Sequence, residues 1–143
     1  MKMFPLYFAL VTALSIYSAS VWAGVAIIVH PSNPLGNITA QEASKIFLAK
    51  TKTFANGKKI VIYDQEEGTE IRDQFYSSVT NKSASQVKAY WSRLIFTGKG
   101  QPPKVVFDDD EVVEAVGAEE NAVGYVDSEA VTGDVKVVLE IGN

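Results

Sequence analysis

The residues best suited to chemistry lie between Ile60 and Phe75, where an apolar strand is followed by a short polar loop and a helix. In the loop, Gly68 allows close approach to the backbone, and Thr69 carries a hydroxyl that can donate a hydrogen bond. Arg72 follows one turn into the helix, with a guanidinium fork suited to an oxyanion. Because free N–H groups and the helix dipole converge at such a helix start, the pattern predicts an anion site. The alternative is an ordinary strand-to-helix turn with Thr69 as the N-cap.

The remaining candidate residues support less chemistry. His30 is the only histidine and follows the first apolar strand together with Ser32 and Asn33; these residues either line a ligand-binding sheet edge or form a plain turn. A single histidine and the absence of cysteine exclude a histidine-based triad, a thiol nucleophile and a multi-histidine or cysteine metal site. The acidic run 108–111 lacks the spacing of a calcium loop and instead suits a capped helix start. We therefore expect no enzyme, no metal and no cofactor.

The first 23 residues have the features of a secretory signal. Lys2 precedes an almost uncharged apolar stretch, and Val21-Trp22-Ala23 places small or modest side chains at the cleavage positions. The alternative is a membrane anchor, because an apolar segment of about 19 residues can span a bilayer. We expect residues 1–23 to be a signal peptide and residues 24–143 to be one periplasmic domain without a membrane anchor after cleavage.

Charge is distributed unevenly along the mature chain. Residues 24–107 contain eleven Lys and Arg against six Asp and Glu, a balance of +5. Residues 108–143 contain one Lys against eleven acids, a balance of −10. An acidic total argues against general nucleic-acid binding, whereas the basic part remains compatible with an anion.

Strands and helices alternate, which is typical of an open α/β sheet. Apolar runs predict strands over 25–29, 60–63, 123–126 and 135–139. Helices are predicted to start at two capping boxes, Thr39 with Glu42 and Ser83 with Gln86. The expected fold is a three-layer α/β open sheet with helices on both faces. The run at 25–29 is typical of a strand in a parallel sheet. We therefore expect the loops after the first two strands to lie at the same edge, with His30 and the following Ser32 on the same side as Gly68.

Three segments resemble the phosphate-binding subunits of bacterial ABC transporters, a type 2 periplasmic binding protein family. The stretch 38–51 (ITAQEASKIFLAKT) is similar to the family's helix and "IFxGK" turn. The stretch 65–75 (QEEGTEIRDQF) is similar to its "RxDGSGTRxxF" loop, and 122–126 (AVGYV) to its late "xIGYV" strand. The similarity spans about residues 38 to 131 and covers only the family's second lobe.

The resemblance implies ligand contacts, but the loop departs from the family pattern. Gly68 and Arg72 are retained, and Thr69 can replace the family's serine. Gln65 stands where the family has an arginine, and Glu70 and Ile71 replace a glycine and a threonine. The resemblance implies four ligand-binding candidates, Gly68, Thr69, Arg72 and, most weakly, Gln65. Ser32 is a fifth candidate, taken from the sheet edge after the first strand.

Two functions from different classes follow. The first is an exported solute-binding protein of the ABC-transporter type, which holds phosphate or another small oxyanion with low affinity because only one lobe is present. The second is an accessory or interaction protein of the cell envelope that keeps the fold and has lost the ligand. In either case an envelope or transporter protein, or a second copy of the chain, is expected to cover the half-cleft. The loop Thr97–Pro103 is a further exposed segment that could contact a partner.

Overall fold

The computed structural model describes residues 24–142, so the predicted signal peptide lies outside the described residues. Five strands form one sheet in the order β3-β2-β4-β1-β5. Their bounds are β1 Val25–Val29, β2 Val61–Gln65, β3 Lys104–Val106, β4 Ala122–Asp127 and β5 Lys136–Ile141. The predicted strands over 25–29, 60–63 and 123–126 do share one sheet. β3, the edge strand that pairs with β2, was not predicted.

Helices cover both faces of the sheet, which confirms the three-layer α/β prediction. The helices are α1 (Ala40–Phe47), α2 (Glu70–Phe75), α3 (Ala84–Phe96) and α4 (Asp109–Ala118), and a π-helical turn over Tyr76–Thr80 continues α2. Both predicted capping boxes are present, at the starts of α1 and α3. Within residues 24–142 no helix is long and apolar enough to cross a membrane.

Strand β1 lies at the centre of this arrangement and is buried along its whole length. Val25, Ile27 and Val29 pack in the core beneath α1, α2 and α3, whereas Ala26 and Ile28 pack in the core beneath α4. Alternate side chains of a strand point to opposite faces, so a strand between two helical layers must be apolar at every position. The continuous apolar run therefore reflects burial on both faces.

The direction predicted for β1 is wrong. β1 pairs antiparallel with β4 and β5, whereas β2 pairs parallel with β3 and β4. Val29 at the end of β1 therefore lies beside Val123, which in turn pairs with Ile62 at the start of β2. The loop after β1 and the loop after β2 therefore lie at opposite ends of the strands. Ser32 is not near Gly68.

Several boundaries also differ from the sequence prediction. β2 begins one residue later than expected and continues through Asp64 and Gln65, which were read as loop but are buried strand residues. On α3, the predicted apolar stripe is buried at Val87 and Trp91, but Ile95 is 55% exposed. The strand change matters most, because it directs Asp64 and Gln65 into the interior from opposite faces of the sheet.

Candidate functional site

The loop after β2 is open and sharply turned. Gly68 has a φ of 86°, in the left-handed region that glycine enters without steric cost. The glycine is exposed, and no atom lies within 4 Å of the place where a Cβ would stand. A ligand could therefore reach the backbone here from solvent.

Thr69 stands at the N-cap of α2 but does not cap the helix through its side chain. Its hydroxyl instead donates to the carbonyl of Glu66 at 3.0 Å. The backbone N–H groups of Thr69, Glu70 and Ile71 donate to no acceptor within residues 24–142. Thr69 is therefore the N-cap residue, as the ordinary-turn alternative expects, but its side chain does not cap the helix, and the start of α2 presents free donors at the positive end of the helix dipole.

Acidic side chains surround the same opening. Glu66, Glu67 and Glu70 are all exposed on the loop and the first residue of α2. Asp73 follows, also exposed, in the first turn. A carboxylate near a helix N-terminus is itself favourable for the helix, but it competes with an external anion for the same potential. The electrostatics of the loop therefore weaken any anion affinity.

Arg72, the predicted cation of the site, is buried, with only 6% of its surface exposed. Its Nε lies 3.4 Å from Oδ1 of Asp64, and its Nη2 donates to Oδ2 of the same carboxylate at 3.4 Å. The guanidinium also lies over the ring of Tyr76, 5.0 Å from the ring centroid. Burial acts to lower the pKa of Arg72, but the Asp64 charge and the two nearby tyrosines outweigh it and raise that pKa above its ordinary value. Arg72 is therefore a permanent cation whose charge is balanced inside the protein.

Asp64 is the centre of a buried hydrogen-bond network. It accepts from the hydroxyl of Tyr76 at 2.7 Å, from the hydroxyl of Tyr125, and from the backbone N–H of Gln65 at 2.8 Å. Burial, followed by the nearby Asp64 carboxylate, raises the pKa of Tyr76 and of Tyr125 well above 10.0. Both phenols therefore remain donors at all ordinary pH values. Tyr125 is also stacked on Phe75, with ring centroids 3.8 Å apart.

Gln65, at the family's arginine position, has no donor left for a ligand. Its Nε2 donates to Oδ1 of Asp109 at 2.7 Å and to the backbone carbonyl of Tyr125 at 3.1 Å. Asp109 lies in the first turn of α4, on the opposite side of the sheet from Arg72. The side chain therefore joins β2 to β4 and α4.

Ser32 and His30 lie at the other edge of the sheet and contact each other. The hydroxyl of Ser32 and Nδ1 of His30 are 2.7 Å apart. Asn33 is buried and uses its side chain locally, donating to the carbonyl of Glu120 at 2.9 Å and accepting from the N–H of Leu35. Ser32 therefore does not belong to a site at Gly68, and Asn33 serves the fold.

The acidic run at the start of α4 is a helix cap. Oδ1 of Asp108 accepts from the N–H of Glu111 at 2.9 Å, as expected for an N-cap. Within residues 24–142 no group of three or more histidine, aspartate or glutamate side chains is arranged to hold a metal ion.

Sequence reasoning missed the residues that hold Arg72 in place, namely Asp64, Tyr76 and Tyr125. One signal was present: Asp64 has the same parity as the buried Ile60 and the partly buried Ile62, which directs it toward the core. Tyr76 lies four residues after Arg72, so the two share one helix face. Tyr125 is remote in sequence, and only the fold brings it to Asp64.

The fold and the loop define a class of structure: a helix N-terminus open at the carboxyl end of a strand in a three-layer α/β sheet. Several solved structures with a similar fold are described as phosphate receptors. An ABC-type phosphate transport receptor from Vibrio cholerae matches with a TM-score of 0.65 and 21% identity, over 82% of this chain and 47% of that chain. A protein from Clostridium perfringens assigned as a phosphate ABC transporter substrate-binding protein, solved with bound phosphate, matches with a TM-score of 0.68 and 22% identity, over 82% and 45%. PstS from Borrelia burgdorferi matches with a TM-score of 0.54 and 14% identity, over 83% of this chain and 48% of that chain.

These similarities confirm the predicted fold resemblance, and the chain spans less than half the length of each of these receptors. At such identities they establish the fold alone. No protein-family model matches the sequence. No curated protein matches it either.

Proposed function

We propose that this protein is an exported solute-binding module that holds phosphate or another small oxyanion at the open start of α2. The observation that carries the proposal is the uncapped helix N-terminus at Gly68 and Thr69, whose backbone donors lack acceptors in the described chain. The similarity in fold to phosphate receptors supports a small oxyanion as the ligand. The protein acts by binding, since the loop offers no nucleophile paired with a base.

The ligand is held mainly by backbone donors in this proposal. Arg72 adds a buried positive charge beneath the loop, and its Nε and Nη1 have no hydrogen-bond partner within residues 24–142. Asp64 offsets most of that charge at the anion. With the carboxylates of Glu66, Glu67 and Glu70 nearby and one lobe only, the affinity is low, and a second chain completes the cleft.

A second candidate function follows from the engaged side chains. Gln65 has both amide hydrogens occupied, and Arg72 is paired with Asp64. These two observations favour a cell-envelope accessory protein that keeps the fold without the ligand. Its partner would cover the open Gly68 edge. Sedimentation and cross-linking of the mature protein test for that partner, and a strict monomer that cross-links to nothing contradicts it.

The two functions are separated by calorimetric titration of the mature protein with phosphate, sulfate and acetate at low ionic strength. The binding function predicts measurable phosphate affinity that Glu70→Gln strengthens, because an exposed negative charge is removed beside the site. Glu140→Gln, an equal charge change on β5, serves as the control and leaves affinity unchanged. Arg72→Met should weaken phosphate binding by less than about tenfold, because Arg72 is buried and paired with Asp64 and so adds only a partly balanced charge beneath the loop.

Two outcomes contradict the binding function. Wild type and Glu70→Gln both failing to bind at millimolar phosphate would favour the accessory function. Equal effects of Glu70→Gln and Glu140→Gln would show nonspecific electrostatics.

Export is the final part of the proposal and rests on the apolar N-terminus. We expect the mature chain to begin at Gly24 as one domain in the periplasm. N-terminal sequencing of the periplasmic fraction tests this, and full-length chain in the membrane fraction contradicts it.

A further inference from the structure

A surface groove lies at the end of the sheet opposite Gly68. It has a volume of about 510 Å³ and is bounded by the residues after α1, the start of β2 and the loop that leads into β3. β2 and β3 are parallel, so the start of β2 and the loop before β3 share one edge, whereas Gly68 follows the other end of β2. One wall is formed by residues 98–103, which belong to the loop Thr97–Pro103 noted in the sequence and take no part in the proposed oxyanion site.

The groove is positively charged without internal compensation. Four lysines line it, Lys52, Lys59, Lys99 and Lys104, and none of its lining residues is acidic. All four are exposed, and none forms an ion pair within residues 24–142. By contrast Lys58, directly beside the groove in sequence, lies 4.0 Å from Glu120. Lys52 crosses the rim and donates to the carbonyl of Lys99 at 3.3 Å, which links two walls.

The lining chemistry narrows the class of ligand. No aromatic ring lines the groove, so it offers no platform on which nucleobases could stack. The charges are lysine ammonium groups, which act as point charges and lack the planar fork of arginine. Between them lies apolar surface from Ile62, Pro102 and Pro103. A concave floor with apolar surface suits a chain that carries both carboxylates and apolar side chains, and it does not suit a flat lipid surface.

We propose that this lysine groove binds an extended, acidic segment of a partner protein. Carboxylates of the segment pair with the four lysines, and its apolar side chains pack on Ile62, Pro102 and Pro103. Charge complementarity supports this occupant, because four exposed cations without acidic neighbours attract an acidic chain and repel basic ones. The site is separate from the proposed oxyanion site, so both can be occupied at the same time.

The test uses the mature protein and a fluorescent synthetic peptide rich in glutamate with interspersed valine and proline. Fluorescence anisotropy at low ionic strength should show binding that weakens as salt is added. The double variant Lys59→Glu/Lys99→Glu should weaken binding at least about tenfold, because two attractive contacts become repulsive. The control Lys45→Glu/Lys88→Glu makes the same charge change at exposed positions outside the groove and should weaken it less than about threefold.

Further measurements fix the location and the occupant. Glu70→Gln should leave peptide binding unchanged, whereas any change would overturn the separation of the two sites. Phosphate titration of wild type and of Glu70→Gln reports only on the oxyanion site at the start of α2. If phosphate does not bind there, the peptide result for the groove is unaffected. If the peptide does not bind, the phosphate result is likewise unaffected. Absence of peptide binding, or an equal loss in both double variants, would overturn the proposal. Binding of inorganic polyphosphate through the groove lysines, with no binding of the acidic peptide, would overturn the protein occupant.

Discussion

The two ends of β2 differ in where their positive charge lies and in whether it is balanced. At the carboxyl end, the basic side chain Arg72 is buried and balanced by Asp64, and the exposed surface is acidic. At the amino end, the lysines of the groove are exposed and unpaired, and apolar residues lie between them. An internally balanced pair contributes mainly to the fold, whereas uncompensated surface charge is available to a partner. The end that sequence motifs indicated therefore supplies backbone donors, and the opposite end supplies a cluster of accessible positive charge.

The largest effect should come from removing the internal acid. Asp64→Ala leaves the Arg72 guanidinium buried without its counterion and deprives Tyr76 and Tyr125 of their acceptor. We expect a loss of about 3–5 kcal/mol in the free energy of unfolding, which urea titration followed by circular dichroism would measure. Asp73→Asn, an exposed acid on the same helix, should change stability by less than about 0.5 kcal/mol.

A double-mutant cycle sharpens this result. Arg72→Met combined with Asp64→Leu should cost less than the sum of the two single changes, since no charge remains buried alone. Additive losses would show that the pair is not coupled and would weaken the contrast between the two ends.

The second effect is a loss of stability at high pH. The folded-state pKa values of Tyr76 and Tyr125 are raised, first by burial and then by Asp64, above the ordinary 10.0. The unfolded state therefore loses protons first, and stability present below pH 10 falls as pH rises above it. Each tyrosine contributes a slope of about 1.4 kcal/mol per pH unit. Unfolding free energies measured from pH 9 to 11 should show this fall.

Tyr76→Phe provides the matched variant, since it removes one titrating phenol and keeps the ring. Above pH 10, the unfolding free energy of this variant should fall with pH less steeply than that of wild type, by about 1.4 kcal/mol per pH unit. An unchanged slope would mean that the Asp64 network does not control the alkaline limit.

How far the sequence determined these features depends on whether the relevant contacts are local. The capping boxes at Thr39 and Ser83 and the start of α2 were predicted correctly, because each depends on residues within one turn. The apolar run of β1 predicted burial on both faces but not strand direction, which depends on pairing with β4 and β5, about a hundred residues later. For the same reason the joint position of Ser32 and Gly68 was predicted wrongly.

The candidate site shows the same division. Gly68, Thr69 and the free helix start were accessible to pattern reasoning, because the turn and the helix are local. The partner of Arg72 was not, since Asp64 was read as loop and Tyr125 is brought to it only by the sheet. The lysine groove was likewise hidden, because its lysines come from three separate segments.

A smaller effect is expected at the turn itself. Gly68→Ala places a Cβ on a residue with φ of 86°, which should destabilise the fold by about 1–2 kcal/mol although the space around it is open. Gly36→Ala is the control, because that glycine also has open space but no positive φ, and its change should be near zero. Equal losses at the two positions would show that backbone conformation at Gly68 is not the cause.

The smallest effect should come from the groove lysines, and its sign is the informative part. Lys59→Gln and Lys99→Gln remove exposed charges that have no acidic partner, so stability should change by less than about 0.5 kcal/mol. Any change should be a gain at low salt that fades as salt screens the repulsion among the groove lysines. Lys58→Gln should act in the opposite direction, because it removes the pair with Glu120, although an exposed pair is worth at most about 1 kcal/mol. Urea titrations of the three variants at low and high salt measure both signs. If replacing either groove lysine lowered stability more than replacing Lys58, the groove charges would contribute to the fold. The contrast between the two ends of β2 would then fail.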